Sequence, residues 1–300
     1  MLTLVQLRVL DAVRRHGSVT LAARELNYTQ PSVSHHLARL ETATGAQLLQ
    51  RVGRGIRLTE AGLVLASRAA EIIGRTEAAE SEVSTLAGLH AGVVRLAGFA
   101  SALTSLAPEA AKLLARDHSG LTLEITDTHP EESLELLRAG RVDVAMLFRY
   151  DETPVDERVR AVHLLDDPIY LVTPRGEARH DLAAYGDASW IGGCERCRRH
   201  LVELCNRAGF NPRLTSTTDD MVVMQSLVAA GAGVTTIPGL ALRAHHNPAC
   251  ELTRLSEARR IFAVTYGDPP DPPATAALLD ALGRAAAIVR SDGSLGDHIA

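Results

Sequence analysis

Apolar residues recur at helical spacing in three short runs at the start of the chain. Leu7, Leu10 and Val13 make one stripe over Leu4–Arg15; Val19, Ala22, Ala23 and Leu26 make a second; Val33, Leu37 and Leu40 make a third. Gly17 closes the first run, and Ser18 stands at the N-cap of the second. Asn27 and Tyr28 interrupt the pattern, and Thr29 caps the third run. Pro31 is tolerated there, because a first-turn amide has no partner within the helix. Two short helices joined by a tight turn make a helix-turn-helix, with Pro31, His35, Ala38, Arg39 and Thr42 on the outer face of its second helix. From Thr59 a helical pattern runs without proline to the Gly88–Gly92 region, about 29 residues and roughly 43 Å of rod. Its stripe includes Leu63, Ala66, Ala70 and Ile73, which the helix cannot bury alone. A partner chain is expected on that face, the alternative being packing against the chain's own C-terminal half.

The period changes at Val93. VVRLAGF, LTLEIT and VDVAMLF read as strands, separated by helices near 106–116 and over EESLELLRAG. A second block repeats the alternation with PIYLVTP, the helix ERCRRHLVELCNRAG, a strand near 214–216, the helix DDMVVMQSLVAAGAG and the strand VTTIP. IFAVTY leads back, and TAALLDALGRAAAIVR closes the chain as a helix before a polar tail. Two α/β halves joined by crossing segments enclose a cleft.

An apolar share of 46% and a charged share of 22% describe an ordinary globular protein. The net charge of −5 argues against a nucleic-acid binder until its distribution is considered. Residues 1–60 hold eight arginines against four acids, a net +4, which leaves −9 on the remainder. A basic head on an acidic body suits a DNA-binding regulator. The N-terminal helix is interrupted by Gln6, Arg8 and Asp11, unlike a signal peptide, and no run of 18 apolar residues exists. With four cysteines and no disulfide-rich pattern, the expected compartment is the cytoplasm, with no membrane partner.

Residues near the start of a recognition helix reach base edges in the major groove. Gln30 can read adenine bidentately, Ser32 and Ser34 can read either partner, and His35 can donate to guanine. Arg51, Arg54 and Arg57, in RVGRGIRLT, are expected to hold phosphates and fix register. The DNA-facing set is thus Ser18, Thr29, Gln30, Pro31, Ser32, Ser34, His35, Arg39, Arg51, Arg54 and Arg57.

The string A-A-x-x-L-N-x-x-Q-P-S-V-S-x-x-L-x-x-L-E, then G-x-x-L-L-x-R and R-L-T-E-A-G, resembles the N-terminal domain of LysR-type transcriptional regulators over residues 2–65. His35 and His36 stand where family members often carry Arg and Gln. The resemblance implies a winged helix-turn-helix over 1–60 and a linker and dimerisation helix over 61–91. It further implies a two-lobed α/β effector domain of periplasmic-binding-protein type over 92–300. Lobe one would take about 92–161 and 267–300, and lobe two about 162–266. VAAGAGVTTIP is the most recognisable stretch of that domain. The partners it implies are double-stranded DNA, a small-molecule effector, RNA polymerase and a second or further copies of the chain, as homodimer or homotetramer.

Ligands in such a domain gather at strand C-termini and helix N-termini. The candidates are Ala100, Ser101, Ala102, His129, Phe148, Arg149, Gly193, Cys194, Thr218 and Thr236. Helix amides and Arg149 favour an anion, a carboxylate being the expectation. His129-Pro130 departs from the Asn-Ser or Thr type usual in the family.

Cys194, Cys197, His200 and Cys205 invite a zinc or redox reading. In a helix over 195–208, Cys194 and Cys205 lie about 16 Å apart along the axis, too far for one ion. No metal site and no cofactor follow. Cys205 shares a stripe with Leu201 and Leu204 and belongs to the core. Cys194 and Cys197, at a helix N-terminus, leave a thiol-based redox sensor open beside the small-molecule reading. No catalytic motif appears: there is no G-x-S-x-G, H-E-x-x-H or P-loop lysine, and the only lysine is Lys112. An enzyme is not expected.

Overall fold

A computed structural model describes residues 1–52, 55–86, 92–150, 159–177, 179, 181–267 and 269–291. The N-terminal helices form where the caps predict. Helix α1 (Leu4–His16) opens on a capping box between Thr3 and Gln6 and ends at Gly17, whose φ of 60° is left-handed. Helix α2 (Val19–Glu25) is capped by Ser18, and α3 (Gln30–Thr44) by Thr29 with Pro31 in its first turn. Val9, Leu10, Val13, Ala22, Ala23, Val33, Leu37 and Leu40 bury together as one core. The arginine-bearing loop is a hairpin in which β1 (Leu49–Val52) pairs antiparallel with β2 (Gly55–Leu58). Glu41 ties α3 to this wing, its carboxylate accepting from the Leu48 and Leu49 amides at 2.8 and 3.2 Å.

Helix α4 (Glu60–Leu86) runs 27 residues, and Thr59 caps it by accepting from the Gly62 amide at 3.1 Å. Its predicted apolar stripe divides. Ala66 is buried in the head's core, and Ala70, Ile73 and Gly74 face α1 and the turn 139–141. Leu63, Val64 and Ile72 stay exposed at 54, 62 and 45%. Gly74 and Gly140 meet backbone to backbone: a Cβ on Gly74 would lie 2.0 Å from the Ala139 carbonyl oxygen and 2.4 Å from the Gly140 Cα. Only glycine permits that approach.

The C-terminal part holds a six-stranded sheet in the order β4-β3-β5-β10-β6-β9. Strand β3 (Val93–Gly98) pairs parallel with both β4 (Thr122–Asp127) and β5 (Val144–Arg149). Between them lie α5 (Ala100–Ser105), α6 (Ala107–Asp117) and α7 (Pro130–Arg138). The expected single helix near 106–116 is therefore preceded by a separate turn of helix. Two long strands, β6 (Val159–Pro174) and β10 (Cys250–Tyr266), pair antiparallel along nearly their whole length. PIYLVTP and IFAVTY are only their ends, because Asp166-Asp167-Pro168 and the charged run 254–260 hide the rest from an alternation test. Past the register break between Arg254 and Ala258, the same ribbon serves a second lobe. There β7 (Ser189–Gly192), α8 (Glu195–Arg207), β8 (Arg213–Thr217), α9 (Met221–Ala229), β9 (Thr235–Pro238) and α10 (Gly239–Ala244) pack around Trp190, Ile191 and Met224. Helix α11 (Pro273–Ser291) returns to cover the first lobe with Leu278, Leu282 and Ala285. No helix among the described residues is long and apolar enough to cross a membrane.

Candidate functional site

Two surfaces carry chemistry. The first is the outer face of α3. Gln30, Pro31, His35 and Arg39 are exposed, and Ser32 and Ser34 are half-buried beside them. Gln30 Nε2 donates to Ser34 Oγ at 2.9 Å, which orients the amide along the helix. Tyr28 stacks on His36 with ring centroids 5.9 Å apart, and the exposed His35 ring stands edge-on to His36 at 6.3 Å. Ser18 and Thr29 use their oxygens as caps, Leu21 and Ser32 being the amide donors. Arg57 is exposed on β2. Arg51 belongs to β1, and Arg54 lies outside the described residues.

The second is a cavity of about 650 Å³ between the lobes. Of the residues expected there, Ala100, Ser101, His129, Phe148 and Cys194 line it. Ala102 is buried in the core of the first lobe, and Gly193, Thr218 and Thr236 do not form the lining. Arg149 is placed elsewhere too. Strand side chains alternate, so Phe148 and Arg149 face opposite sides of the sheet, and the Arg149 guanidinium sits 5.9 Å from the Phe262 ring.

The cation at the cavity is Arg259, which sequence reasoning missed. It is 1% exposed and lies on β10 directly opposite Asp167 on β6. Its Nε donates to Asp167 Oδ2 at 2.9 Å and its Nη2 to Ser101 Oγ at 2.7 Å. Its guanidinium lies 5.0 and 4.7 Å from the Phe99 and Phe148 ring centroids. The Leu240 amide satisfies the other Asp167 oxygen at 2.8 Å. Burial works against the Arg259 charge, but Asp167, joined by Tyr150 and Cys197, offsets it and holds the guanidinium above its ordinary range.

The rim is acidic, with Asp127, Glu132, Asp219 and Asp220. Two polar contacts cross between the lobes beside it. His129 Nε2 lies 3.2 Å from Asp219 Oδ2, and Arg196 Nε donates to Glu131 at 3.1 Å while its Nη1 donates to the Phe148 carbonyl at 3.0 Å. On one wall the Cys194 and Cys197 sulfurs are 3.1 Å apart, and the Tyr150 hydroxyl donates to Cys197 Sγ at 3.6 Å. The Cys197 thiol, donating to the ionised Cys194 sulfur, and the amides at the start of α8 lower Cys194 to about 6. Cys197, in the donor role and partly desolvated, is raised well above the ordinary thiol range. Cys205 is buried in the second lobe, away from both. No cluster of three or more metal-ligating side chains exists among the described residues.

Residues 4–63 match the family model of bacterial regulatory helix-turn-helix proteins of the lysR family, and residues 87–287 match the LysR substrate binding domain. The chain belongs to the LysR family. It is 31% identical over 194 residues to the RuBisCO operon transcriptional regulator of Allochromatium vinosum. That match spans 63% of this chain and 63% of the relative's own length. In fold it is similar to the crystal structure of CbnR, a LysR family transcriptional regulator, with a TM-score of 0.68 at 21% identity. That likeness covers 95% of this chain and 99% of CbnR. It is also similar to a C206 mutant of OxyR from Corynebacterium glutamicum, with a TM-score of 0.57 at 28% identity over 97% of this chain and 95% of that one. The LysR architecture of a DNA-head fold, a long helix and a two-lobed domain is thus present in this chain.

Proposed function

We propose that the protein is a sequence-specific DNA-binding transcriptional regulator of the cytoplasm, not an enzyme, whose C-terminal domain responds to a small molecule. The observation that carries this reading is the pairing of a capped recognition helix, polar on its outer face, with a cavity between two lobes in one chain. In this reading residues 1–60 are the DNA head, 61–91 the linker and 92–300 the effector domain. Gln30, Ser34 and His35 read bases; Arg39, Arg51, Arg54 and Arg57 hold phosphate beside them. The exposed Leu63, Val64 and Ile72 are covered by the same helix of a second copy, giving a dimer or a tetramer built from dimers. RNA polymerase is the partner through which the bound head acts.

The cavity supports an effector with acceptor atoms toward its floor and a donor or cationic group at its rim. Ser101, whose hydroxyl accepts from Arg259, can donate its own hydrogen to such an acceptor. Arg259 is neutralised by Asp167, and Arg149 lies off the cavity, so the lining supports a polar effector in place of a simple carboxylate. Effector contact with both rims favours one lobe arrangement only through its differential affinity, typically about 1–3 kcal/mol of coupling. The test is selection of genomic fragments on the full chain, footprinting of the winners, and a thermal-shift screen of polar metabolites repeated with Ser101→Ala. Half-sites near one helical turn apart, and hits lost in the variant, support the reading. Equal binding to every fragment overturns the DNA part, and hits indifferent to Ser101 overturn the cavity.

A further inference from the structure

The two thiols on the cavity wall differ in ways that the regulator reading does not use. Cys194 stands at the N-cap of α8 and Cys197 one turn on, so both sulfurs lie on one side of the helix start. They are 3.1 Å apart, and an S–S bond is about 2.05 Å. Closing the gap takes about 1 Å of side-chain motion. Both sulfurs border the cavity, so a small molecule within it can reach them. Behind them Tyr150 is fixed, its ring stacked on His200 at 3.7 Å and edge-on to Phe148 at 5.7 Å, which holds its hydroxyl on the Cys197 sulfur. Cys205 and Cys250 are buried elsewhere and have no thiol at such a distance.

We propose that Cys194 and Cys197 are a reversible dithiol couple that exchanges with low-molecular-weight disulfides entering the cavity. The Cys194 thiolate attacks one sulfur of a disulfide R–S–S–R. A new S–S bond forms on Cys194, the R–S–S–R bond breaks, and one RS⁻ leaves and takes a proton from solvent. Cys197 then gives up its proton and attacks the Cys194 sulfur. The intramolecular S–S bond forms, the mixed disulfide breaks, and the second RS⁻ leaves as RSH with that proton. One protein dithiol is oxidised and one small disulfide is reduced to two thiols. The attacking thiol is the one ionised near neutral pH, and the resolving thiol is the one held protonated beside it, the order that exchange requires. The disulfide ties the start of α8 and removes a thiol donor from the wall beside Phe148. The chemistry rests on the pair alone; its regulatory meaning rests on the cavity being the effector site.

The experiment equilibrates the full-length protein in glutathione buffers of graded oxidation, quenches with acid, alkylates and maps peptides. The expected result is a Cys194–Cys197 disulfide that appears with oxidation and disappears with dithiothreitol, with Cys205 and Cys250 left as alkylated thiols. Cys197→Ser is expected to trap glutathione on Cys194, and Cys194→Ser to abolish modification. No closure at any buffer ratio overturns the proposal. So does glutathione bound to Cys205 or Cys250 as fast as to Cys194. So does a pair that closes with hydrogen peroxide but not with oxidised glutathione. Closure without change in thermal-shift hits leaves the couple standing and removes its link to the effector site, so the two readings fail separately.

Discussion

Removing the Arg259 guanidinium is the sharpest test of how the cavity floor is held. The pair with Asp167 has its closest approach at 2.8 Å, with side chains 2% and 1% exposed. At an effective dielectric near 20, two unit charges at that distance attract by about 6 kcal/mol. Each ion also gave up its hydration, so the pair as a whole contributes far less than this. Removing one member alone leaves that cost on the other, and the expected loss is about 3–5 kcal/mol. Arg259→Met keeps most of the packing against Phe99 and Phe148, and Asp167→Asn keeps the acceptor for the Leu240 amide. Each alone should therefore destabilise strongly, and the double variant should cost clearly less than the two added together. Trp190, the single tryptophan, is fully buried in the second lobe and reports urea unfolding by its fluorescence. Arg207→Ala is the control. Its 2.9 Å contact with Glu257 is solvent-exposed, at 56% and 35%, and should cost under about 1 kcal/mol. A loss for Arg259→Met no larger than the control's, or strict additivity in the double variant, would refute the reasoning.

Gly74→Ala forces a methyl into the turn 139–140, and a loss of about 1–3 kcal/mol is expected. Faster hydrogen exchange at the Gly140 and Arg141 amides would report it, and unchanged exchange would count against the contact. His35→Ala should relax discrimination at one base pair by about 1–3 kcal/mol, whereas Arg57→Ala should weaken all sequences and lower the salt slope by about one ion. Equal loss on every sequence for His35→Ala would remove it from base reading. Alkylation of Cys194 by iodoacetamide should rise through a pH of about 6, since the thiol is inert below that value and the thiolate reacts above it. Cys205, pushed up to about 12 by burial, should stay unmodified at pH 8 in the same sample; an inflection for Cys194 at the ordinary thiol value would contradict the hydrogen-bonded geometry.

What could be seen in the sequence was what local chemistry determines. Ser18, Thr29 and Gly17 mark helix ends by groups within four residues, so the head's helices emerge within a residue of their expected ends. The parallel strands β3, β4 and β5 were legible as short apolar runs. Arg259 was not. Its partner Asp167 is 92 residues away, and in S-E-A-R-R-I-F nothing local says which arginine faces inward. Pairing β10 with β5 decides it, setting Arg260 opposite Arg149 and leaving Arg259 on the Phe148 side. Strand alternation alone already forbade Phe148 and Arg149 from sharing a pocket. The linker stripe looks like one surface in the sequence, but the side bearing Ala66, Ala70 and Gly74 is consumed within the chain, where small side chains let α1 and the turn 139–141 approach.

The long ribbon of β6 and β10 also sets how force passes through the domain. Both lobes hang from the same two strands, so neither can move away without unzipping the pairing, and rotation about the ribbon is the soft coordinate left. Asp167 and Arg259 sit on that ribbon, opposite one another, directly beside the break between Arg254 and Ala258. The cavity floor is therefore also the axle. A molecule seated there pushes with almost no lever arm, and its displacement is magnified at the far ends. A molecule clasped only between His129 and Asp219 has leverage in abundance and little travel. Where a ligand sits, as much as how tightly it binds, sets how far the arms swing.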